Sequence, residues 1–191
     1  MTGGTASSLE AAALPAVSTD ESSRPSAPAE EVTRLFDELR SPLLRYVFSI
    51  GLSLADGEEV IQEVFLALFH HLRRGKSRQN LRGWAFRVGH NLALKRRHRG
   101  GGGIVEQPEE NAFDRLLDPS PNPEEALAAR QKQERLLAVV RVLPEQDRCC
   151  LHLRAEGLRY REIARVLGMS LGAVALSLGR SIERLSRANR S

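Results

Sequence analysis

Residues 160–178, YREIARVLGMSLGAVALSL, decide the fold of the C-terminal half. Ala164 falls where two helices must nearly touch. Gly168, four residues on, can take a left-handed turn at no steric cost. Val174 comes six residues later, where a second helix packs back on the first, and Ile163, Leu167, Met169 and Leu178 supply a small apolar kernel. This is the spacing of a helix-turn-helix, a unit that holds its second helix out for a DNA major groove. The bland alternative is an αα-hairpin inside a bundle. Ser170 is placed to cap the second helix, whereas Arg159 stands at the cap of the first, where Ser is favoured.

Working outward, Glu124 to Val142 is amphipathic, Leu143-Pro144-Glu145 opens another helix and Gly157 ends it. These make a C-terminal block over 124–191. Residues 100–123 read as a linker, opening with Gly100-Gly101-Gly102-Gly103 and closing with Asp118-Pro119-Ser120-Pro121-Asn122-Pro123, flexible first and stiffer later. An N-terminal block spans 30–99. There Val32, Leu35, Phe36 and Leu39 recur at helical spacing, and Ser41-Pro42 restarts a helix with proline in its first turn. Asp56 is placed to cap a third helix striped by Val60, Ile61, Val64, Phe65, Leu68 and Phe69. A loop over 73–79 precedes a fourth helix, Asn80 to His98, whose inner face is Leu81, Trp84, Ala85, Val88 and Leu92. Residues 1–29, rich in Ala, Ser, Thr, Pro and Gly, read as a disordered tail. No segment alternates with period two, so the expected fold is all-α: two small helical domains on a linker.

The chain has 191 residues, 41% of them hydrophobic, and a formal charge of +4. That suffices for a core and suits a polyanionic partner. No apolar run approaches the roughly 18 residues of a membrane span, and no secretory signal is evident, so the expectation is a cytoplasmic protein that does not engage a membrane. Cys149 and Cys150 are adjacent, a poor arrangement for a cross-link, and read as small buried hydrophobes. Enzyme chemistry finds no footing. The five histidines lack metal-site spacing, the glycine run is not followed by Lys-Ser or Lys-Thr, and no nucleophile–base pair can be argued. Neither a cofactor nor a metal is expected.

Electrically, Asn80 to Arg99 is the most lopsided segment: Arg82, Arg87, Lys95, Arg96, Arg97 and Arg99, with His90 and His98, and no acid. The preceding loop adds Arg73, Arg74, Lys76 and Arg78. Such a run makes a polyanion track with salt-sensitive affinity. Trp84 lies on the apolar stripe and reads as core; Phe86 lies off it and is the aromatic placed to stack on an unpaired base. Glu59, Gln62 and Glu63 form an acidic patch at helical spacing, which by itself reads as a solvated surface.

Three stretches resemble region two of the extracytoplasmic-function sigma factors of bacterial RNA polymerase, a group within the sigma-70 family: Leu43-Leu44-Arg45-Tyr46, Glu58 to Phe65 (EEVIQEVF) and Trp84 to Ala93 (WAFRVGHNLA). Leu143 to Arg148 (LPEQDR), Gly157 to Ala164 (GLRYREIA) and Leu167 to Ser170 (LGMS) resemble region four. The resemblance covers most of residues 32 to 188.

What the resemblance implies is a promoter-specificity subunit that does no chemistry itself. Its partners would be the polymerase core, through the β′ and β subunits, promoter DNA and, as is common in the family, an anti-sigma factor. Glu59, Gln62 and Glu63 would dock on the core. Arg74, Lys76, Arg78, Asn80, Phe86, Arg87, His90, Asn91 and Lys95 would capture and open the −10 element, with a flipped base in a loop pocket. Ser170, Ala173, Leu176, Ser177, Arg180 and Arg184 would face the −35 duplex. One departure stands out: Ala175 and Ser177 occupy places where the family usually carries Lys and Arg, which weakens or alters −35 reading. The rival expectation is a free-standing helix-turn-helix regulator whose N-terminal block binds a partner or dimerises.

Overall fold

The structure, a computed structural model, describes residues 27–99 and 123–190, without the side chains of 123–129. The expected linker over 100–122 and all but the last residues of the expected tail lie outside that description. The described residues hold seven helices and no strand. The first three are α1 (Ala27–Ser49), α2 (Leu54–Arg73) and α3 (Leu81–Arg99); the rest are α4 (Pro123–Arg141), α5 (Glu145–Ala155), α6 (Tyr160–Leu167) and α7 (Leu171–Ala188).

Helix α1 corrects two expectations. It begins at Ala27, inside the stretch expected to be tail, and it does not restart at Ser41-Pro42 but runs through Pro42. Proline removes one hydrogen bond from the ladder. Leu39, Leu43, Leu44 and Val47 are buried on either side of it, and this continuous apolar face holds the helix together across the gap. The cap of α2 also lies earlier than Asp56. Ser53 Oγ accepts from the Asp56 amide at 3.1 Å and donates to Asp56 Oδ2 at 2.6 Å. Asp56 thus serves as the return partner in the first turn.

Helices α1, α2 and α3 pack on one another around Leu39, Leu43, Val47, Val60, Ile61, Val64 and Leu68. In the C-terminal half, α5, α6 and α7 close around Cys150, Leu153, Leu158, Ile163, Val174 and Leu178. The helix-turn-helix expected from residues 160–178 is α6 and α7, bent 105° to each other. Gly168 sits between them with φ 66°, and its N–H and that of Met169 both return to the Ala164 carbonyl. That left-handed cap is available to glycine at no steric cost. Ser170 caps α7 as expected, accepting from the Ala173 amide at 3.1 Å. Arg159 has no side-chain acceptor to offer α6. Glu162 supplies half a capping box, its carboxylate accepting the Arg159 N–H at 2.6 Å.

The two halves also touch. α5 packs on α1, α6 packs on α3, and the buried residues of both form one continuous apolar cluster. No single helix among the described residues is long and apolar enough to cross a membrane.

Candidate nucleic-acid interface

The loop before α3 is built by local contacts. His71 Nε2 lies 2.9 Å from the Ser77 carbonyl, and the His71 ring lies against Trp84, centroids 4.9 Å apart. Asn80 ends the loop with φ 52°, a left-handed conformation that asparagine tolerates better than most residues. Its Oδ1 accepts from the Gly83 amide at 3.1 Å, capping α3. A Cβ at Gly83 would meet Asn80 Nδ2 at 2.5 Å, so the cap requires glycine there. Arg74, Lys76, Arg78 and Asn80 are all exposed, and Arg78 reaches Glu31 at 3.4 Å.

On α3 the basic run divides. Arg82 reaches Glu38 at 3.3 Å and donates to the Glu156 carbonyl at 2.5 Å. Arg96 pairs with Glu59 and lies 3.8 Å from Asp56. Arg97 donates to the Ile50 carbonyl at 3.0 Å and pairs with Glu145 at 2.7 Å. These three arginines join elements. Arg87, Asn91 and Lys95, spaced by four residues, form an exposed stripe in which neither cation makes an ion pair with the described residues. The track available to a polyanion is therefore narrower than the run of charges suggests.

Two residues expected to meet DNA through α3 face inward instead. Phe86 is 0% exposed and packs edge-on against Tyr46 at 5.8 Å, so its ring is not offered to a base in this arrangement. Trp84, expected in the core, is only half-buried. His90 is buried and hydrogen-bonded through Nδ1 to the Tyr46 hydroxyl at 2.8 Å. Burial lowers its pKa, and the Arg97 charge adds to that against an opposing Glu145. A neutral buried imidazole is no phosphate ligand. The reason is common to both residues: α3 is covered by α1, α2 and α6, more sides than one apolar stripe anticipates.

On α7, Leu176 is 67% exposed, Arg180 and Arg184 are exposed, and Ala173 is half-buried. Ser177, expected to face duplex, is 1% exposed and donates to Asp147 Oδ1 at 2.7 Å. Arg180 donates to the same carboxylate at 2.9 Å. Burial pushes the Asp147 carboxyl up, but the bonds from Arg180 and Ser177 outweigh it and leave the pKa below the ordinary value. This clamp fixes α7 against α5. No sequence pattern announced it, because Asp147 and Ser177 lie 30 residues apart.

Glu59, Gln62 and Glu63 are exposed on α2, with Glu59 tied to Arg96. Among the described residues no group of three His, Cys, Asp or Glu can hold a metal.

An exposed basic stripe on α3 and a helix-turn-helix in α6 and α7 are features of the kind that DNA-binding proteins carry. Residues 35–101 match the family description "Sigma-70 region 2" and residues 133–185 match "Sigma-70, region 4". Together the two matches take in more than half of the chain, which belongs to the sigma-70 family. It is 30% identical over 143 residues to the "ECF RNA polymerase sigma factor SigE" of Mycolicibacterium smegmatis, which covers 74% of this chain and 54% of SigE. It is 28% identical over 144 residues to the RNA polymerase sigma factor CnrH of Cupriavidus metallidurans, covering 72% of this chain and 75% of CnrH. This chain thus spans about half the length of SigE. Two solved structures share the fold. CnrH in complex with the cytosolic domain of CnrY has a TM-score of 0.55 at 24% identity, covering 83% of this chain and 86% of that one. RpoE of Bartonella quintana in complex with the anti-sigma factor NepR has a TM-score of 0.59 at 15% identity, covering 84% and 98%.

Proposed function

We propose that this protein is a promoter-specificity subunit that binds the RNA polymerase core, recognises promoter DNA and directs initiation in the cytoplasm without catalysing a reaction. The observation that carries the reading is that both sigma-70 regions occur in order on a chain whose α3 keeps Arg87, Asn91 and Lys95 exposed. The first domain runs from Ala27 to Arg99 and the second begins at Pro123. The core docks on Glu59, Gln62 and Glu63 of α2. The −10 element is held by Arg74, Lys76, Arg78 and Asn80 of the loop and by Arg87, Asn91 and Lys95 of α3. The −35 duplex meets Ser170, Ala173, Leu176, Arg180 and Arg184. Because Ala175 and Ser177 bring no cation, −35 affinity comes chiefly from backbone contacts.

An anti-sigma partner is part of the proposal, since CnrH and RpoE are each described with such a partner or with CnrY. Capture of purified core on the immobilised protein tests the docking face. Replacing Glu59, Gln62 and Glu63 together by Ala should weaken capture by about tenfold or more. Core binding that ignores these three residues, or no core binding at all, contradicts the proposal.

A further inference from the structure

We infer that α7 reads its duplex through thymine methyl groups, with Leu176 as the specificity-determining side chain and Arg161 and Arg165 of α6 as phosphate anchors beside it. Resting on the sigma-factor reading above, this gives the −35 element a chemical class: A·T pairs where Leu176 and Ala175 meet the groove.

The outward face of α7 begins with Leu171, Gly172, Ala175, Leu176 and Gly179, all exposed. From Leu171 to Ser181 the sequence carries a single charged residue, Arg180. Its guanidinium is already engaged, Nη2 with Asp147 Oδ1 at 2.9 Å and Nε with Asp147 Oδ2 at 3.4 Å. Asp147 is 2% exposed, so pulling Arg180 away would strip the counter-charge from a buried carboxylate. A bidentate Arg–guanine pair, the commonest specific contact in a major groove, is opposed at this position. Ser177 is turned inward onto the same carboxylate. What α7 offers a base edge is carbon.

Shape points the same way. Gly172, Leu176 and Gly179 share one strip of the helix. Apart from the helix's own backbone, no atom lies within 4 Å of where a Cβ would stand on either glycine. Leu176, 67% exposed, therefore rises alone above a low surface of backbone. Such a knob can enter the major groove deeply and meet the thymine C5-methyl, the apolar group that base pairs present there. Ala175 adds a smaller apolar contact beside it.

An exposed leucine also suits a protein partner, and its surroundings decide between the two. Arg161 and Arg165, one turn apart on α6, are exposed and make no ion pair with the described residues. They line one cleft with Leu171, Gly172 and Ala175. Glu162, the acid of that cleft, is turned to the Arg159 N–H. The first turn of α7 holds no acid, and its first acid, Glu183, is paired with Arg187. Free cations bordering an apolar centre match phosphates bordering base methyls.

The full chain, with and without polymerase core, is used to select duplexes from a library of randomised sequence. Each thymine of the selected duplex is then replaced in turn by uracil, which keeps the base pair and removes only the methyl group. At the thymine that faces Leu176, wild type should bind the uracil duplex about fourfold more weakly, the scale of one carbon group taken out of water. Leu176→Ala should bind the two duplexes alike. That coupling reports contact, since a merely structural loss weakens both duplexes equally. Arg161→Ala with Arg165→Ala should weaken both by one common factor and lower the salt slope by about one per lost phosphate contact.

Equal uracil sensitivity in wild type and Leu176→Ala overturns the inference. So does a selected element fixed by guanines whose preference disappears in Arg180→Ala, and so does the failure of a chain that binds core to select any sequence. If Leu176→Ala weakens capture of core and leaves the selected sequence unchanged, the face belongs to the polymerase and the inference fails as well. A chain that selects a methyl-sensitive duplex without binding core would instead strike the sigma-factor reading and leave the methyl reading standing.

Discussion

Arg87 and Phe86 are neighbours in sequence and opposites in role. Arg87 projects from α3 with Asn91 and Lys95, whereas Phe86 is fully buried. Replacing Arg87 and Lys95 by Ala should therefore leave the melting temperature nearly unchanged. It should weaken strand opening at the −10 element more than duplex binding, and flatten the salt dependence by about one unit of slope per lost phosphate contact. Equal losses in the two DNA assays would count against the assignment. Phe86→Ala should instead cost about 3–5 kcal/mol of stability, as for other buried aromatic truncations, measured by denaturant unfolding. The apolar stripe predicts Trp84 inward and Phe86 outward; Trp84 does pack against the core, half-buried, but Phe86 is buried too. A helical stripe reports which residues share a face, but not how many neighbours the helix has, and α3 has three. His90 and Ser177 depart from expectation for a related reason: each is polar by type, and its buried partner, Tyr46 or Asp147, lies far away in sequence.

At the scale of elements, local chemistry was the more legible. Ala164, Gly168 and Val174 located α6, its turn and α7 because that motif is specified by residues close in the chain. The left-handed Gly168 carries a direct consequence. Gly168→Ala should lose about 1–2 kcal/mol, the cost of forcing a Cβ into positive φ, even though no atom lies within 4 Å of the position it would occupy. A melt that matches wild type would mean the turn is not held as described. Pro42 taught the reverse lesson. Proline marks a probable helix start, yet α1 continues through it, since burial of Leu39, Leu43 and Val47 along one face offsets the missing hydrogen bond. Tertiary packing of this kind leaves no local signal.

For the whole molecule, burial of ionisable groups sets the response to acid. Burial, aided by the Arg148 charge and opposed by Glu156, holds His152 down to about 4. In the unfolded chain the same imidazole takes a proton near 6.5, so acid favours unfolding: stability is complete above that value and declines as the pH falls toward 4. The depressed Asp147 carboxyl acts in the same direction at lower pH, since its stabilising contribution is lost as pH falls through its folded value. Thermal melts should be level from about pH 7 to 8 and lower by several degrees at about pH 5. A melting temperature that rises on acidification would contradict the burial of His152. The all-α class and the helix-turn-helix were legible from periodicity and motif spacing; the closure of one half on the other was not, because Arg45 and Glu156 are separated by 111 residues.

Promoter opening reconstituted from purified core, this protein and a matched promoter bears most directly on the account, with unpaired −10 thymines read by permanganate. The account predicts reactive thymines and run-off transcript only when core and protein are both present, with both signals reduced by the Arg87→Ala, Lys95→Ala pair. Tight duplex binding by the protein alone, with no thymine reactivity when core is added, would contradict it and identify a free-standing regulator instead.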